Sequence, residues 1–345
     1  MKKIVFTGGG SAGHVVPNIA LMEELQEHYE LFYIGTDGIE KGLISPLKIP
    51  YGEITCPKFI RGFSLKNFTI PFQFSRAVRR AMQILKDIQP DLVFSKGGYV
   101  ALPVVFAARK MKIPCLTHES DLSLGLANRL MAGKCEFVLT SFPETAESVI
   151  NGRYVGAPLR REVFGVDKGT ARAKYGFAKQ DKPVVLVLGG GSGSVAVNNA
   201  LRKDLFSICR RYYVLHLCGK GNAVESTVAG YVQKEFEADM GSAYACADAV
   251  IARAGANTVF EVLSLKKPAL FIPLQNARTR GDQVKNAKYF ERQGLCRVLN
   301  EKDADGLTWA LEQLIQDTAL KENLSACEIT SGNEKIVECM KECMK

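Results

Sequence analysis

Asp248-Ala-Val-Ile-Ala-Arg-Ala-Gly-Ala-Asn-Thr-Val-Phe-Glu-Val-Leu263 is the stretch on which the fold turns. A short apolar run reaches Arg253, a glycine follows at 255, and a helical pattern continues through Thr258 and Glu261. Lys267-Pro268 then leads into a second apolar run, Ala269 to Ile272, and a polar loop reaches Gly281-Asp-Gln283-Val-Lys-Asn286. Short apolar runs bounded by Gly and Pro suit buried parallel strands. The order predicted is strand, tight turn, helix, strand, loop, helix. Gly255 permits the turn, and the helix behind it is expected to begin near Asn257 or Thr258. The free N–H groups of a helix start hold an anion without a metal. Glu261 admits two readings on spacing alone. With Thr258 it fits a capping box; facing a sugar, its carboxylate accepts bonds from two adjacent hydroxyls, as on a ribose.

Outward from this stretch the same design recurs. Lys3 to Phe6 reads as a strand, Thr7-Gly-Gly-Gly-Ser-Ala-Gly-His14 as a glycine loop, Pro17 to Glu27 as a helix and Leu31 to Ile34 as a strand. In the second half, Val184 to Leu188 precedes Gly189-Gly-Gly-Ser-Gly-Ser194. Such alternation predicts parallel sheets with right-handed crossovers. Gly8-x-Gly10-x-x-Gly13 matches a dinucleotide fingerprint, with Asp37 near the ribose-acid position, a pattern shared by many phosphate loops. Ser194 replaces the third glycine in the second loop. His14 stands at the carboxyl end of the first strand, where open α/β sheets place ligands. Asp91 to Phe94 and Pro114 to Thr117 are further strands, ending in Ser95-Lys-Gly-Gly-Tyr99 and His118-Glu119-Ser-Asp121. Adjacent residues of an extended segment point to opposite sides. One of His118 and Glu119 is therefore expected to face the ligand and the other to orient the loop. His216, inside a strand, reads as a core residue. Tyr154 to Arg160, with Gly156 and Pro158, reads as a hinge. The expected domains are 1–160 and 161–325, with 326–345 forming a helix that folds back on the first.

A chain of 345 residues, 47% hydrophobic, is long enough for two such cores. Lys plus Arg exceeds Asp plus Glu by 9, which points to an anionic partner. The ten cysteines include no C-x-x-C pair and read as reduced thiols of a cytosolic protein, without zinc. The first apolar run is too short for a signal peptide, and Tyr99 to Ala108 is too short to span a bilayer. Residues 54–86 carry Lys58, Arg61, Lys66, Arg76, Arg79, Arg80 and Lys86 without one acidic residue. From about Phe72 onward they read as a core helix with buried phenylalanines and solvated charges. Phe59 to Phe68, set among Gly, Ser and Asn, reads as exposed: apolar side chains rimmed by cations suit anionic lipid headgroups. Nucleic acid competes for the same chemistry, but Phe and Ile without Tyr or Trp favour lipid.

Seven motifs then stand in one order over nearly the whole chain: Gly9-Gly-Ser-Ala-Gly-His14, Lys96-Gly-Gly-Tyr99, His118-Glu119 with Leu126-Ala-Asn128, Val155-Gly-Ala-Pro-Leu-Arg160, Gly189-Gly-Gly-Ser-Gly193, Ala254-Gly-Ala-Asn-Thr-Val-Phe-Glu261 and Asp282-Gln283-x-x-Asn286-Ala287. In this the chain resembles the MurG family of UDP-N-acetylglucosamine transferases. The resemblance implies the glycosyltransferase-B fold, an α/β architecture of two Rossmann-like domains with parallel sheets facing across a cleft. It implies inverting transfer of GlcNAc from UDP-GlcNAc to the 4-hydroxyl of MurNAc on lipid I, the undecaprenyl-diphosphate-linked MurNAc-peptide, giving lipid II. The donor site implied comprises Ser11, Ala12, Gly13, Asp121, Asn128, Arg160, Gly191, Ser192, Gly193, Ala256, Asn257, Thr258, Glu261 and Gln283. Within it Glu261 takes the ribose, Gln283 the sugar hydroxyls and Arg160 the uracil side. Gly10, Gly97, Gly98 and Tyr99 are expected at the acceptor diphosphate, and His14 and Glu119, in that order, as candidate bases. Phe59, Arg61, Phe63, Lys66, Phe68, Arg76, Arg79 and Arg80 would dock on an anionic membrane, at its cytoplasmic face. No metal or cofactor and no nucleic acid enters this reading. The sequence departs from many relatives at Ser11-Ala12, Asp121 and Gly191, where Thr-Gly, Asn and Ser are common, and Asp121 sets a negative charge near the donor.

Other functions remain to be separated. A transferase of the same fold with another lipid acceptor suits the lipid patch equally. A UDP-GlcNAc epimerase shares donor and architecture but needs no acceptor. An NAD-dependent dehydrogenase rests on the first glycine loop alone. A nucleic-acid module leaves Glu261, Gln283 and His14 without a purpose.

Overall fold

The computed structural model describes residues 1–57, 69–179, 181–275 and 280–344. They form two compact units, Met1–Arg160 with Ser331–Lys345, and Arg161–Thr330.

The first unit contains β1 (Lys3–Thr7), α1 (Val16–Leu25), β2 (Glu30–Gly35), α2 (Ile39–Ile44), β3 (Tyr51–Glu53), α3 (Ile70–Ile88), β4 (Leu92–Ser95), α4 (Ala101–Lys110), β5 (Cys115–Glu119), α5 (Leu126–Met131), β6 (Phe137–Thr140), α6 (Pro143–Glu147) and β7 (Gly152–Tyr154). The second follows with α7 (Lys168–Lys174), β8 (Val184–Leu188), α8 (Val195–Lys203), α9 (Leu205–Arg211), β9 (Tyr213–Leu217), β10 (Tyr231–Lys234), α10 (Met240–Cys246), β11 (Ala249–Ala252), α11 (Ala256–Ser264), β12 (Ala269–Phe271), α12 (Asp282–Arg292), β13 (Arg297–Val298), α13 (Leu307–Gln316) and α14 (Thr318–Ala326). A last helix, α15 (Asn333–Cys343), belongs to the first unit.

Both sheets are parallel and doubly wound. Strand order is β3-β2-β1-β4-β5-β6-β7 in the first and β10-β9-β8-β11-β12-β13 in the second. Order therefore reverses between β1 and β4, where Thr7 pairs with Ser95, and between β8 and β11, where Leu188 pairs with Ala252. Loops leaving two such strands diverge to opposite faces and open a crevice at the carboxyl ends. The four motif-bearing segments, 8–14, 96–99, 189–194 and 253–258, are the loops at these two points.

Helices cover both faces of the first sheet, so its strands read as continuous apolar runs. One core joins Ile4, Phe6, Leu21 and Phe94 to Ile336 and Met340 of α15. Full burial of such side chains stabilises by about 1.5–3 kcal/mol each, and Asn333 fastens the start of α15 by bonding both backbone groups of Leu159. The other core packs Val5 and Val93 against Ala81, Leu85 and Val104. Spacing of three and four along α3 buries Ala77, Val78, Ala81, Ile84 and Leu85 and turns Arg76, Arg79 and Arg80 to solvent. Phe72 corrects the expectation of buried phenylalanines: it is 74% exposed, one turn before Arg76, whereas Phe74 meets Phe106 edge to face. Beyond Glu291 the sequence suggests helices only, yet β13 adds an edge strand against β12. Among the described residues no helix is long and apolar enough to cross a membrane.

Candidate functional site

At the first switch point the glycine loop is held from beneath by a carboxylate. Glu40, with no exposed surface, accepts from the N–H of Gly10 at 3.2 Å and the N–H of Thr36 at 3.0 Å, and from the Thr36 hydroxyl. A Cβ on Gly9 would lie 2.6 Å from the Glu40 carboxyl carbon, and one on Gly10, at φ +79°, would lie 2.5 Å from the Tyr99 ring. Position 10 is therefore kept for glycine by both its backbone angle and the ring, while a side chain at position 9 would push the Glu40 carboxyl group aside. The N–H of Gly10 is thereby engaged, which removes it from the acceptor-diphosphate donors expected from sequence. The dinucleotide reading loses ground for the same reason, and Asp37 lies at the surface paired with Lys41.

His14 is half-buried and its Nδ1 lies 3.0 Å from the carbonyl of Gly9 and 3.1 Å from the Ser11 hydroxyl. A carbonyl only accepts, so Nδ1 carries the proton and Nε2 is the basic nitrogen. Gly98, at φ +79°, packs against both: a Cβ there would meet the Gly9 oxygen at 2.6 Å and His14 Nδ1 at 3.0 Å. The Lys96–Tyr99 loop thus abuts the histidine. Gly97 donates its N–H to the Ser95 hydroxyl at 3.1 Å, so it too leaves the expected diphosphate set. Gly98 and Tyr99 lie in the loop that follows β4, at the carboxyl end of the first sheet. Lys96 itself is 2% exposed and donates to the Ser120 hydroxyl at 2.6 Å. Burial pushes its ammonium down to about 8, against the opposing pull of Glu119 and Asp121.

The third loop corrects the division of labour expected of His118 and Glu119. Both are buried. His118 bonds the Gly156 carbonyl through Nε2 at 3.0 Å, and burial holds its pKa well below the ordinary histidine value, so the ring is neutral. Glu119, 6% exposed, accepts from Gly125 N at 2.7 Å, Asn128 Nδ2 at 2.9 Å and Asp121 N at 3.1 Å. A carboxylate so engaged braces the 119–128 loop, and this geometry argues against Glu119 as the base. Asn128 is likewise committed inside the fold, its amide also accepting from Thr117 and donating to the His118 carbonyl. Ser11 and Gly13 are exposed, while Ala12, Asp121 and Arg160 are half-buried.

At the second switch point Gly190, Gly191 and Ser192 are exposed, and Gly193, at φ +78°, sits against Cys218, where a Cβ would come within 2.2 Å of a carbonyl. Ser194 does what a third glycine cannot: its hydroxyl caps α8 by accepting from Val197 N. Across the reversal, α11 begins at Ala256 with Gly255 as its cap. Thr258 therefore lies within the helix, and the capping-box reading of Glu261 falls. Glu261, 5% exposed, accepts from the Tyr244 hydroxyl at 2.9 Å. Arg253 forks onto Glu301 at 3.1 and 3.0 Å and donates to the Ile272 carbonyl, tying the ends of β11 and β12 to the following segment. Gln283, half-buried on α12, uses its oxygen to accept from Leu274 N at 2.9 Å. Asn257 and Thr258 are half-buried at the α11 start and Ala256 is buried. His216 lies in the core, as expected, between Asn198 and Tyr231, and burial pushes it down to about 4.

Arg76, Arg79 and Arg80 are exposed together on α3; Phe59, Arg61, Phe63, Lys66 and Phe68 lie outside the described residues. Two open cavities lie away from both crevices. One, lined by Pro183, Asp248 and Pro268, is at the opposite end of the second sheet, and the other runs between α1 and α15. No group of three or more His, Cys, Asp or Glu among the described residues is placed to hold a metal. Glu40, Tyr244 and the Arg253–Glu301 pair escape sequence reasoning because each acts on a motif from a distant position. Only Lys96, inside its motif, carried a local signal.

Comparison with known proteins fits this geometry. The Glycosyltransferase family 28 N-terminal domain matches residues 4–140, and the family's C-terminal domain matches residues 184–340. A UDP-N-acetylglucosamine–N-acetylmuramyl-(pentapeptide) pyrophosphoryl-undecaprenol N-acetylglucosamine transferase of Clostridium kluyveri is 46% identical over 310 residues, 88% of either chain. The enzyme of the same name from Lachnospira eligens is 44% identical over 352 residues, 99% of each. The crystal structure of Acinetobacter baumannii MurG superposes with a TM-score of 0.76 at 25% identity, covering 99% of this chain and 100% of that one. A UDP-GlcNAc 2-epimerase from Neisseria meningitidis, 15% identical at a TM-score of 0.68 and covering 99% and 100% of the two chains, shares the fold alone. With two parallel α/β units of the glycosyltransferase-B type and such identity along almost its whole length, the chain belongs to the MurG family of N-acetylglucosamine transferases.

Proposed function

We propose that the protein transfers GlcNAc from UDP-GlcNAc to the 4-hydroxyl of the MurNAc of undecaprenyl-diphosphate-linked MurNAc-peptide, making lipid II from lipid I. The observation that carries this is the identity of 44% over 99% of both chains with a transferase of that name. His14 is the base. It takes the proton of the acceptor hydroxyl at Nε2 while that oxygen bonds to the anomeric carbon on the face opposite the nucleotide. The anomeric bond to the β-phosphate oxygen breaks, and UDP leaves with the electron pair. Amides of Gly191 and Ser192 and of the α11 start, Ala256 to Thr258, stabilise the diphosphate charge, whereas the Gly193 N–H is spent on the Gly190 carbonyl at 3.0 Å and closes the turn. Glu261 takes the ribose hydroxyls, Gln283 the sugar hydroxyls through its amide nitrogen, and Arg160 the uracil side. Ser11, Ala12, Gly13 and Asp121 complete the donor contacts. Asn128 and Glu119 serve by bracing their loop. Gly98 and Tyr99 meet the acceptor diphosphate.

The exposed face of α3, with Phe72 one turn before Arg76 and Arg79–Arg80 one turn after it, holds the enzyme on anionic lipid at the cytoplasmic face of the membrane, where the acceptor lies. The test is incubation with labelled UDP-GlcNAc and a soluble lipid I analogue, beside a control without acceptor. A β-1,4-linked disaccharide lipid and released UDP are expected. UDP-GlcNAc binding without transfer would redirect the search to another acceptor, and sugar chemistry in the acceptor-free control would favour an epimerase.

A further inference from the structure

The Gly9–Gly10 peptide joins two side chains that are far apart in sequence. Its N–H donates to Glu40 Oε2 at 3.2 Å, and its C=O lies 3.0 Å from His14 Nδ1. Carboxylate, peptide and imidazole thus form one chain of hydrogen bonds running through a single resonant amide. Glu40 is fully buried, its partners among the described residues, Gly10 and Thr36, are neutral donors, and no cation of those residues lies within 4 Å of it. A buried charge without a counter-ion is costly. A cation formed along its hydrogen-bond chain would offset that cost. Polarising a peptide at its N–H makes its oxygen a stronger acceptor, so a negative charge on Glu40 favours a proton on each nitrogen of His14.

We propose that Glu40, acting through the Gly9–Gly10 peptide, is the positioning residue of His14: it fixes Nδ1 as the protonated nitrogen and stabilises the imidazolium formed when Nε2 takes the acceptor proton. In serine hydrolases an aspartate does this by direct contact; here an intervening peptide transmits the effect. The packing is close: a side chain at position 9 would displace the Glu40 carboxyl group from the Gly10 N–H. The inference rests on His14 being the base in the reading above. Other titratable or charged groups on elements around the loop are Tyr33 of β2, Tyr51 of β3, which donates to the Thr36 carbonyl and is kept neutral by burial, Lys96 and Tyr99 after β4, and Cys56, which donates to the Tyr99 carbonyl. Tyr33 and Cys56 are held neutral by burial, so neither supplies a competing negative charge at neutral pH.

The experiment is a proton-detected titration of the His14 ring in the full chain and in Glu40→Gln, with His14→Gln identifying the resonance, beside pH profiles of kcat/KM for GlcNAc transfer. In Glu40→Gln the His14 midpoint and the acid limb of the profile should both fall by about one pH unit, with KM for UDP-GlcNAc unchanged. An unmoved midpoint in folded Glu40→Gln overturns the relay. Should that variant not fold, the parent decides: the Gly10 amide resonance must follow the His14 titration, and a flat response overturns the proposal. A shifted midpoint without transfer supports the relay and rejects the transferase reading. Transfer with an unmoved midpoint does the reverse.

Discussion

Glu119 separates two roles by their free-energy signatures. Glu119→Ala removes the acceptor of three hydrogen bonds, from Asp121 N, Gly125 N and Asn128 Nδ2, at 3.1, 2.7 and 2.9 Å. Bonds to a charged acceptor contribute about 1.5–3 kcal/mol each, and a donor left unpaired in the interior costs about 1–3 kcal/mol. Water entering the vacated space satisfies part of this. The net loss should therefore be about 3–5 kcal/mol, well above the usual effect of one substitution. For a unit of this size each kcal/mol lowers the melting temperature by about 2–4 °C, so the first unit should melt roughly 6–20 °C lower. Calorimetry beside transfer assays at a temperature where both proteins are folded is the measurement. If Glu119 braces the loop, the variant melts early and retains appreciable turnover when held folded. A variant melting within 2 °C of the parent, with turnover down a hundredfold or more, would return the carboxylate to the chemistry and refute the reasoning.

Lys96→Met removes a buried ammonium held down near 8. A lowered lysine pKa destabilises the fold below pH 8 and is relieved as pH rises towards the unfolded value, so the variant should be more stable by about 1–2 kcal/mol at pH 7. That gain should shrink by pH 10 in denaturant titrations. His216, held down to about 4, must remain neutral in the fold. The second unit should lose up to about 3 kcal/mol between pH 6.5 and 4, and His216→Gln should flatten that slope in urea unfolding curves. Replacing Arg76, Arg79 and Arg80 with Gln should weaken binding to anionic vesicles roughly 100-fold, at about 1 kcal/mol per residue. Sedimentation assays in low and high salt would check this, and binding indifferent to both lipid charge and salt would exclude α3.

Sheets, glycine loops and the switch-point positions are readable in the sequence because each is a local pattern. Val184 to Leu188 can only be a buried strand, and Gly189 after it can only be a turn. What escapes is side-chain direction. His118 and Glu119 alternate on β5 as any strand does, but β5 is an interior strand covered on both faces, so alternation does not distinguish inside from outside. The motif gave the residues' identity and not their orientation. Glu261 shows the same limit: the capping box fails by three positions, because Gly255 rather than Thr258 caps α11. Glu40 was invisible for another reason. It follows no motif, and its meaning comes from a loop thirty residues earlier that only the folded sheet brings beside it.

The return of α15 to the first unit carries a consequence for biosynthesis. Ile336 and Met340 sit in the same core as Ile4 and Phe6, yet a ribosome makes them well after the first sheet has emerged. At about 5–20 residues per second, the intervening segment takes roughly 10–35 s to translate. Throughout that interval the surface that α15 will cover stays open to solvent, while the second unit, encoded without interruption, can close first. The order of completion then runs opposite to the order of synthesis. A nascent chain halted before Asn333 should be protease-sensitive in its first 160 residues and resistant in the next 170.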